Sequence, residues 1–317
     1  MTSIVYPDAD QGVIASLRRT GQWERLANLG TLRSYPGDPT DDDEFLERVG
    51  DADVVLLGSN LPDRVLTDAP HLALVSFTGY GAANFVNLPL ASQRGIAVAN
   101  TPGYGAASVA EHALALALAV AHRIPVSDAG ARHANWTQPA SLQLAGKTAG
   151  VIGYGAIGRR AAELFSGIGM NVLVWARRHP DHAPRGVEFV ALDELLVRSD
   201  IVSIHLALTP ETAGFITAAH LAALRHDAII VNTARAELIE PGALEAALSE
   251  HRIRAGLDVF TREPIAPDSA IATLPGTVLT PHQGYNTPEA LDSLLTIAVD
   301  NIDRFLSDRP YHSAHSA

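Results

Sequence analysis

The chain has 317 residues, a length that favours two domains of ~150 residues each. Hydrophobic residues make up 47% and charged ones 18%, which excludes a disordered chain, and the lack of cysteine excludes disulfides, thiolate metal sites and cysteine nucleophiles. A net charge of −12 argues against a general phosphate-backbone binder, so no nucleic-acid partner is expected.

The first residues, MTSIVYPDADQG, lack a basic region followed by an apolar run and do not read as a signal peptide. The greasiest stretch, 113–121, falls well short of the ~20 residues of a membrane span. A cytoplasmic protein with no membrane partner is expected.

Residues 3–6 read as a short strand, and 11–29 show helical spacing of Val13, Ile14, Leu17 and Leu26. The acidic run Asp41-Asp42-Asp43-Glu44 resembles a metal cluster. Acids also favour a helix N-terminus, here ahead of 45–49, and that reading is preferred, so no metal site is expected. Residues 53–57 and 72–77 are short continuous apolar runs and read as buried strands.

A second unit begins near Thr101-Pro102-Gly103. The helix over 108–122 is apolar nearly all round, so burial between domains or subunits is expected. Strands follow at 148–152, 171–175, 201–206, 228–232 and 278–279, with helices at 192–198, 218–224 and 241–249. This alternation predicts an α/β protein with a parallel sheet covered on both faces. The final YHSAHSA reads as a loose tail.

Gly153-Tyr154-Gly155-Ala156-Ile157-Gly158 follows a predicted strand at once and opens a helix. In that setting the run lets the backbone approach a pyrophosphate at a helix N-terminus, which makes Gly153, Gly155, Ala156, Ile157 and Gly158 candidate dinucleotide contacts. A ligand-free tight turn is the plainer alternative, and the flanking elements weigh against it. An NAD site places an acid roughly 20 residues further on, for the ribose 2′-hydroxyl. Here the chain reads Trp175-Ala176-Arg177-Arg178, with no acid and two guanidiniums. These suit a 2′-phosphate, and one charge-assisted bond contributes roughly 1.5–3 kcal/mol, or ~10- to 100-fold in preference. NADP(H) is therefore favoured with NAD(H) possible, and Ala176, Arg177 and Arg178 join the cofactor candidates. A solvated arginine pair is the alternative.

Several motifs, in order between about residues 75 and 303, resemble the D-isomer-specific 2-hydroxyacid dehydrogenase family. They are GIAVANTPG at 95–103, Ser108-Val109-Ala110-Glu111-His112, the glycine loop, Val231-Asn232-Thr233-Ala234-Arg235, Gly256-Leu257-Asp258-Val259-Phe260, Glu263-Pro264 and Thr280-Pro281-His282. The resemblance implies a Rossmann-type dinucleotide-binding domain over 101–287, inserted into a flavodoxin-like α/β substrate domain of 1–100 and 288–317. It implies that Arg235 holds the substrate's carboxylate and carbonyl oxygen through its planar fork. His282 is implied as general acid in reduction and general base in the reverse, with Glu263 favouring the charged imidazole. Thr233, Ala234, Asp258 and Gly284 are implied cofactor contacts, Asp258 toward the nicotinamide carboxamide. Tyr80, Gly81 and Ala82, in a loop resembling the family's substrate loop, are implied to offer backbone N–H groups to the substrate carboxylate.

Formate dehydrogenases carry glutamine at the position of Glu263, and phosphite dehydrogenases carry a lysine in the substrate loop, where this chain has none between Phe77 and Asn87. What remains resembles the glyoxylate/hydroxypyruvate reductase branch, acting on a small 2-oxo or 2-hydroxy acid, as a homodimer through the apolar helix. A non-catalytic dinucleotide-sensing regulator of the same fold is the alternative. The joint presence of Arg235, Glu263 and His282 argues against it.

Overall fold

The structure, a computed structural model, describes residues 2–178, 184, 186–266 and 268–314. The chain divides into two compact units, the first running up to Gly105 and resuming at Thr287, the second spanning Ala106–Asn286.

In the first unit, strands β1 (Ser3–Ala9), β2 (Thr31–Pro36), β3 (Val54–Leu57), β4 (Leu74–Phe77) and β5 (Ala97–Ala99) alternate with helices α1 (Gln11–Arg19), α2 (Gln22–Leu29), α3 (Asp42–Val49), α4 (Asp63–Asp68) and α5 (Leu88–Gln93). All strand pairs are parallel, in the order β2-β1-β3-β4-β5, the flavodoxin-like arrangement. Side chains alternate between two cores. Ile4 and Tyr6 join Leu56, Leu74 and the C-terminal helix Pro288–Leu306, whereas Val5, Val55 and Val75 join Phe45, Val65 and Leu66 on the other face.

The helical pattern at 11–29 is two helices, because Gly21 turns left-handed at φ +72° between them. The acidic run caps α3: the Asp41 carboxylate accepts from Glu44 N at 2.8 Å, and Glu44 in turn accepts from Thr40 N and Oγ1. Strand β2 lacks an apolar run, since it is a partly exposed sheet edge. The expected loose tail is corrected as far as Ala314. His312 O accepts from Asn100 N and His312 N donates to Asn301 Oδ1, both at 3.0 Å, Ser313 bridges Ala99, and Ala314 is buried. Residues 315–317 lie outside the described residues. Backbone pairing to a buried asparagine, which composition does not report, orders this segment.

The second unit carries α6 (Ala106–Ala121), α7 (Ile124–Arg132), β6 (Thr148–Ile152), α8 (Ala156–Gly167), β7 (Asn171–Trp175), β8 (Val187–Phe189), α9 (Leu192–Arg198), β9 (Ile201–Ile204), α10 (Ala218–Ala223), β10 (Ala228–Asn232), α11 (Ala243–Ser249), β11 (Ile253–Leu257), α12 (Ala270–Thr273) and β12 (Thr277–Leu279). Its parallel sheet is ordered β12-β11-β10-β9-β6-β7-β8, so the first strand lies in the interior and the connections reverse direction beside it, as in a Rossmann fold. Strand β11 is concealed in the sequence by Arg254 and Gly256. Gly256 is required by proximity, because a Cβ there would stand 2.9 Å from Leu116 Cβ of α6.

That contact also corrects the expectation for the apolar helix. Ala110, Ala113, Leu116 and Ala117 of α6 pack with Ala161, Ala162 and Phe165 of α8 and with Val151 and Val174, inside the core of this unit. Among the apolar residues left exposed in this unit, three follow α6 closely: Ile124 at 52%, Val126 at 60% and Trp136 at 81%. No single helix among the described residues is long and apolar enough to cross a membrane.

Asn301 is fully buried in the first unit and joins two segments, donating to Asn100 O at 2.8 Å and accepting from His312 N. Asn301→Leu keeps the volume but strands both backbone groups, at a cost of about 1–3 kcal/mol for each. Denaturant unfolding should show that loss. Wild-type stability would mean that the C-terminal segment is not held by this contact.

Candidate active site

Strands β10, β11 and β12 are parallel neighbours, with Asn232 level with Leu257 and Leu257 level with Leu279. Their C-terminal ends therefore share one sheet edge. Thr233-Ala234-Arg235 follows the first, Asp258 to Glu263 the second and Thr280 to Gly284 the third.

His282 Nδ1 lies 2.7 Å from Glu263 Oε2, while the other carboxylate oxygen accepts from Phe260 N at 2.9 Å. An ionised carboxylate has no proton to give, so the hydrogen of the short contact belongs to His282 Nδ1. That leaves Nε2 as the ring nitrogen open to a ligand. The Tyr285 ring packs edge-on to the imidazole, with centroids 6.0 Å apart. His282 itself is held at φ +50°, a left-handed conformation unusual for a residue with a Cβ.

Arg235 is set by its own turn. Buried Asn232 donates to Arg235 O at 2.8 Å and accepts from Ala234 N at 3.0 Å. The guanidinium donates to Ala234 O at 2.6 Å, and no carboxylate among the described residues pairs with it. A half-buried guanidinium in that state is suited to an anionic ligand.

Asp258 is 1% exposed, and its oxygens serve the protein. Oδ1 accepts from Thr280 Oγ1 at 2.6 Å and Gln283 N at 2.9 Å, while Oδ2 accepts from Gly284 N at 2.8 Å. His112 Nε2, from α6, reaches Oδ1 at 3.3 Å and Thr280 Oγ1 at 2.9 Å. Burial pulls this carboxyl upward, and the hydrogen bonds from His112, Thr280 and the two N–H groups outweigh it, holding it below the usual carboxylate range. Sequence reasoning assigned no role to His112 or Thr280, although both stand in quoted motifs, because only the fold brings α6 to the end of β11.

The glycine loop follows the interior strand β6 and opens α8. Gly153 adopts φ +99°, and a Cβ there would meet His205 O at 2.5 Å. A Cβ on Gly158 would meet Gly153 O at 2.0 Å, whereas one on Gly155 would point into open space. Gly155 caps α8 without a side-chain acceptor, and the N-termini of Ala156 and Ile157 complete the first turn. Burial pushes His205 down to about 4, so it adds no charge beneath the loop at neutral pH. Ala176 is half-buried and Arg177 and Arg178 are exposed at the end of β7, beside β6. The buried Thr233 Oγ1 has no hydrogen-bond partner among the described residues. An open helix N-terminus, glycines packed backbone to backbone and an orphaned hydroxyl fit a dinucleotide.

The remaining candidates belong to the first unit. Gly79 is required because a Cβ would stand 2.5 Å from the Phe77 ring. Asn100 Nδ2 donates to Tyr80 O at 2.9 Å and Thr101 N to Gly79 O at 2.9 Å, which fixes the loop after β4. Ala82 N already donates to Tyr80 O at 3.1 Å. The N–H groups of Tyr80 and Gly81 have no acceptor among the described residues. After β3, Gly58 N and Ser59 N donate to the buried Asp8 carboxylate, whose pKa burial raises.

Fold and site together define a nicotinamide-dinucleotide-dependent oxidoreductase. Residues 114–284 match the family described as D-isomer specific 2-hydroxyacid dehydrogenase, NAD binding domain. A hydroxypyruvate reductase of Blautia hydrogenotrophica is 35% identical over 303 residues, 91% of this chain and 93% of that protein. A D-3-phosphoglycerate dehydrogenase of Mycobacterium tuberculosis is 39% identical over 84% of this chain, but the aligned part is only 51% of that protein, so the chain spans about half its length. Among solved structures, an acyclic imino acid reductase in complex with NADPH and D-Arg is 26% identical, with a TM-score of 0.83 over 98% of this chain and 99% of that one. The chain belongs to the D-isomer specific 2-hydroxyacid dehydrogenases, oxidoreductases of the CH–OH group, and not to a class of non-catalytic regulators.

Gly158→Ala should abolish dinucleotide binding, measured by nicotinamide fluorescence, because α8 must retreat from Gly153 to admit a methyl group. Unaltered affinity would show that the helix N-terminus is not held against the ligand.

Proposed function

We propose that this enzyme is an NADP(H)-preferring reductase of small 2-oxo acids, of the glyoxylate/hydroxypyruvate type. The observation that carries the reading is the 2.7 Å Glu263–His282 pair, which occupies Nδ1 and leaves Nε2 as the ring nitrogen free to exchange a proton with a substrate. Bound nicotinamide dinucleotide supplies the hydride to C2 in reduction and takes it in oxidation. His282 Nε2 gives a proton to the carbonyl oxygen as charge develops there, and recovers it in the reverse direction. Glu263 stabilises the imidazolium and holds its ring orientation. Arg235 binds the substrate carboxylate, its fork matching two oxygens. In the first unit, the N–H groups of Tyr80 and Gly81, which have no acceptor among the described residues, are proposed as donors to a substrate carboxylate, whereas Ala82 N already serves Tyr80 O.

Gly153, Gly155, Ala156, Ile157 and Gly158 receive the pyrophosphate, Thr233 and Ala234 line the nicotinamide end, and Arg177 with Arg178 take the 2′-phosphate. Support for NADP(H) comes from the absence of an acid at 176–178 and the two exposed guanidiniums at the end of β7. The 35% identical relative, named as a hydroxypyruvate reductase, supports the substrate class. A homodimer is part of this reading, through the region of Ile124, Val126 and Trp136, whose apolar surface is too exposed to favour a lone chain. A monomer in sedimentation at micromolar concentration would discard that interface.

The experiment is oxidation of NADPH and NADH against 2-oxo acids from glyoxylate to phenylpyruvate, by wild type and Arg177→Ala. Wild type should turn over a small 2-oxo acid faster with NADPH. The variant should lose roughly 10- to 100-fold in NADPH affinity and keep its NADH affinity. Equal losses for both cofactors would remove Arg177 from the phosphate site, and silence across the panel would overturn the reductase reading.

A further inference from the structure

We propose that His112 is a positioning residue for His282, acting through Thr280 and Asp258 from the buried helix α6. The inference rests on the reading of His282 as the proton donor. A histidine at φ +50° does not hold that conformation on its own account, so neighbouring contacts must impose it. They come from one carboxylate. Asp258 accepts from Gln283 N and Gly284 N, the two residues after His282, and from Thr280 Oγ1, two residues before it. The turn that presents His282 is thus gripped on both sides by the end of β11.

A carboxylate with this many donors must itself be oriented, and His112 does this. The Thr280 hydroxyl has a single proton and spends it on Asp258, so the hydrogen in the 2.9 Å contact with His112 comes from Nε2. The same Nε2–H faces Asp258 Oδ1 at 3.3 Å. The imidazole also touches the turn: a Cβ on Gly284 would stand 3.2 Å from His112 Cδ2 and 3.0 Å from Asp258 Oδ2. Because α6 is packed into the core on α8 and against β11, the chain α6–His112–Thr280/Asp258–His282 ties the proton donor to a helix buried in the core of this unit. Glu263 sets the ring of His282, whereas His112 sets its backbone.

The test uses the full chain with the 2-oxo acid that wild type turns over fastest, comparing His112→Phe, His112→Gln and His282→Asn. His112→Phe keeps a flat ring but loses the N–H, and kcat should fall about ten- to hundredfold, the scale of a misplaced reacting group, with the NADPH Kd and the KM for the acid unchanged. His112→Gln, whose amide N–H can still reach Thr280, should restore most of the rate. Unchanged kcat in His112→Phe overturns the proposal. So does a loss that appears in the NADPH Kd, which would give the His112–Asp258 pair to the nucleotide instead. Should His112→Phe not fold, Thr280→Val removes the linking hydroxyl alone and must show the same kcat loss. Full activity in His282→Asn would refute the reading of His282 as proton donor. A dead His282→Asn beside an unimpaired His112→Phe would refute only the support.

Discussion

A strand in a parallel sheet must be returned by a crossover to the edge from which its neighbour started, so all strands end on the same side. In the second unit this geometric constraint does most of what the chemistry needs. It sets Arg235, Glu263 and His282 after β10, β11 and β12, three adjacent strands, although long stretches of sequence separate them. It also places the glycine loop after β6, where the reversal of strand order leaves room for a nucleotide. The close contacts of Gly153, Gly158 and Gly256 follow from the same packing, because helices laid against the sheet leave no volume for a Cβ.

Within that frame carboxylates act as clamps on backbone as much as charges. Asp258 grips the turn carrying His282, Glu263 bridges Phe260 N to the imidazole, and Asp8 holds Gly58 N and Ser59 N in the other unit. Each carboxylate is satisfied by N–H or hydroxyl donors, as burial requires. Arg235 differs, since its guanidinium answers only to a neighbouring carbonyl. A half-buried guanidinium at this sheet edge, with no carboxylate partner among the described residues, is suited to an anionic ligand.

The first unit solves a similar positioning problem with neutral groups. Asn301 joins Asn100 to His312, and Asn100 in turn donates to Tyr80 O in the loop after β4. A C-terminal segment that composition marks as loose therefore stands behind the loop after β4. Amide networks of this kind are stiff only when every member is paired, which explains why a single leucine at 301 is expected to be costly.

The sequence by itself determined the α/β class, the glycine loop with its helix, the missing ribose acid and the motifs that carry Arg235, Glu263 and His282. These are local matters: periodicity, turn chemistry and short runs with a fixed backbone purpose. The strand β11 escaped because a buried arginine interrupts its apolar run, β2 because an edge strand needs no such run, and the fate of α6 because an apolar helix can be covered by its own unit or by another. Only the tertiary structure decided that Asp258 spends its oxygens on the His282 turn, that His112 stands behind it, and that Ala82 N is taken up by Tyr80 O whereas Tyr80 N and Gly81 N find no acceptor among the described residues. Hydrogen bonds between residues far apart in the chain depend on which elements the fold makes neighbours, and no local pattern records that.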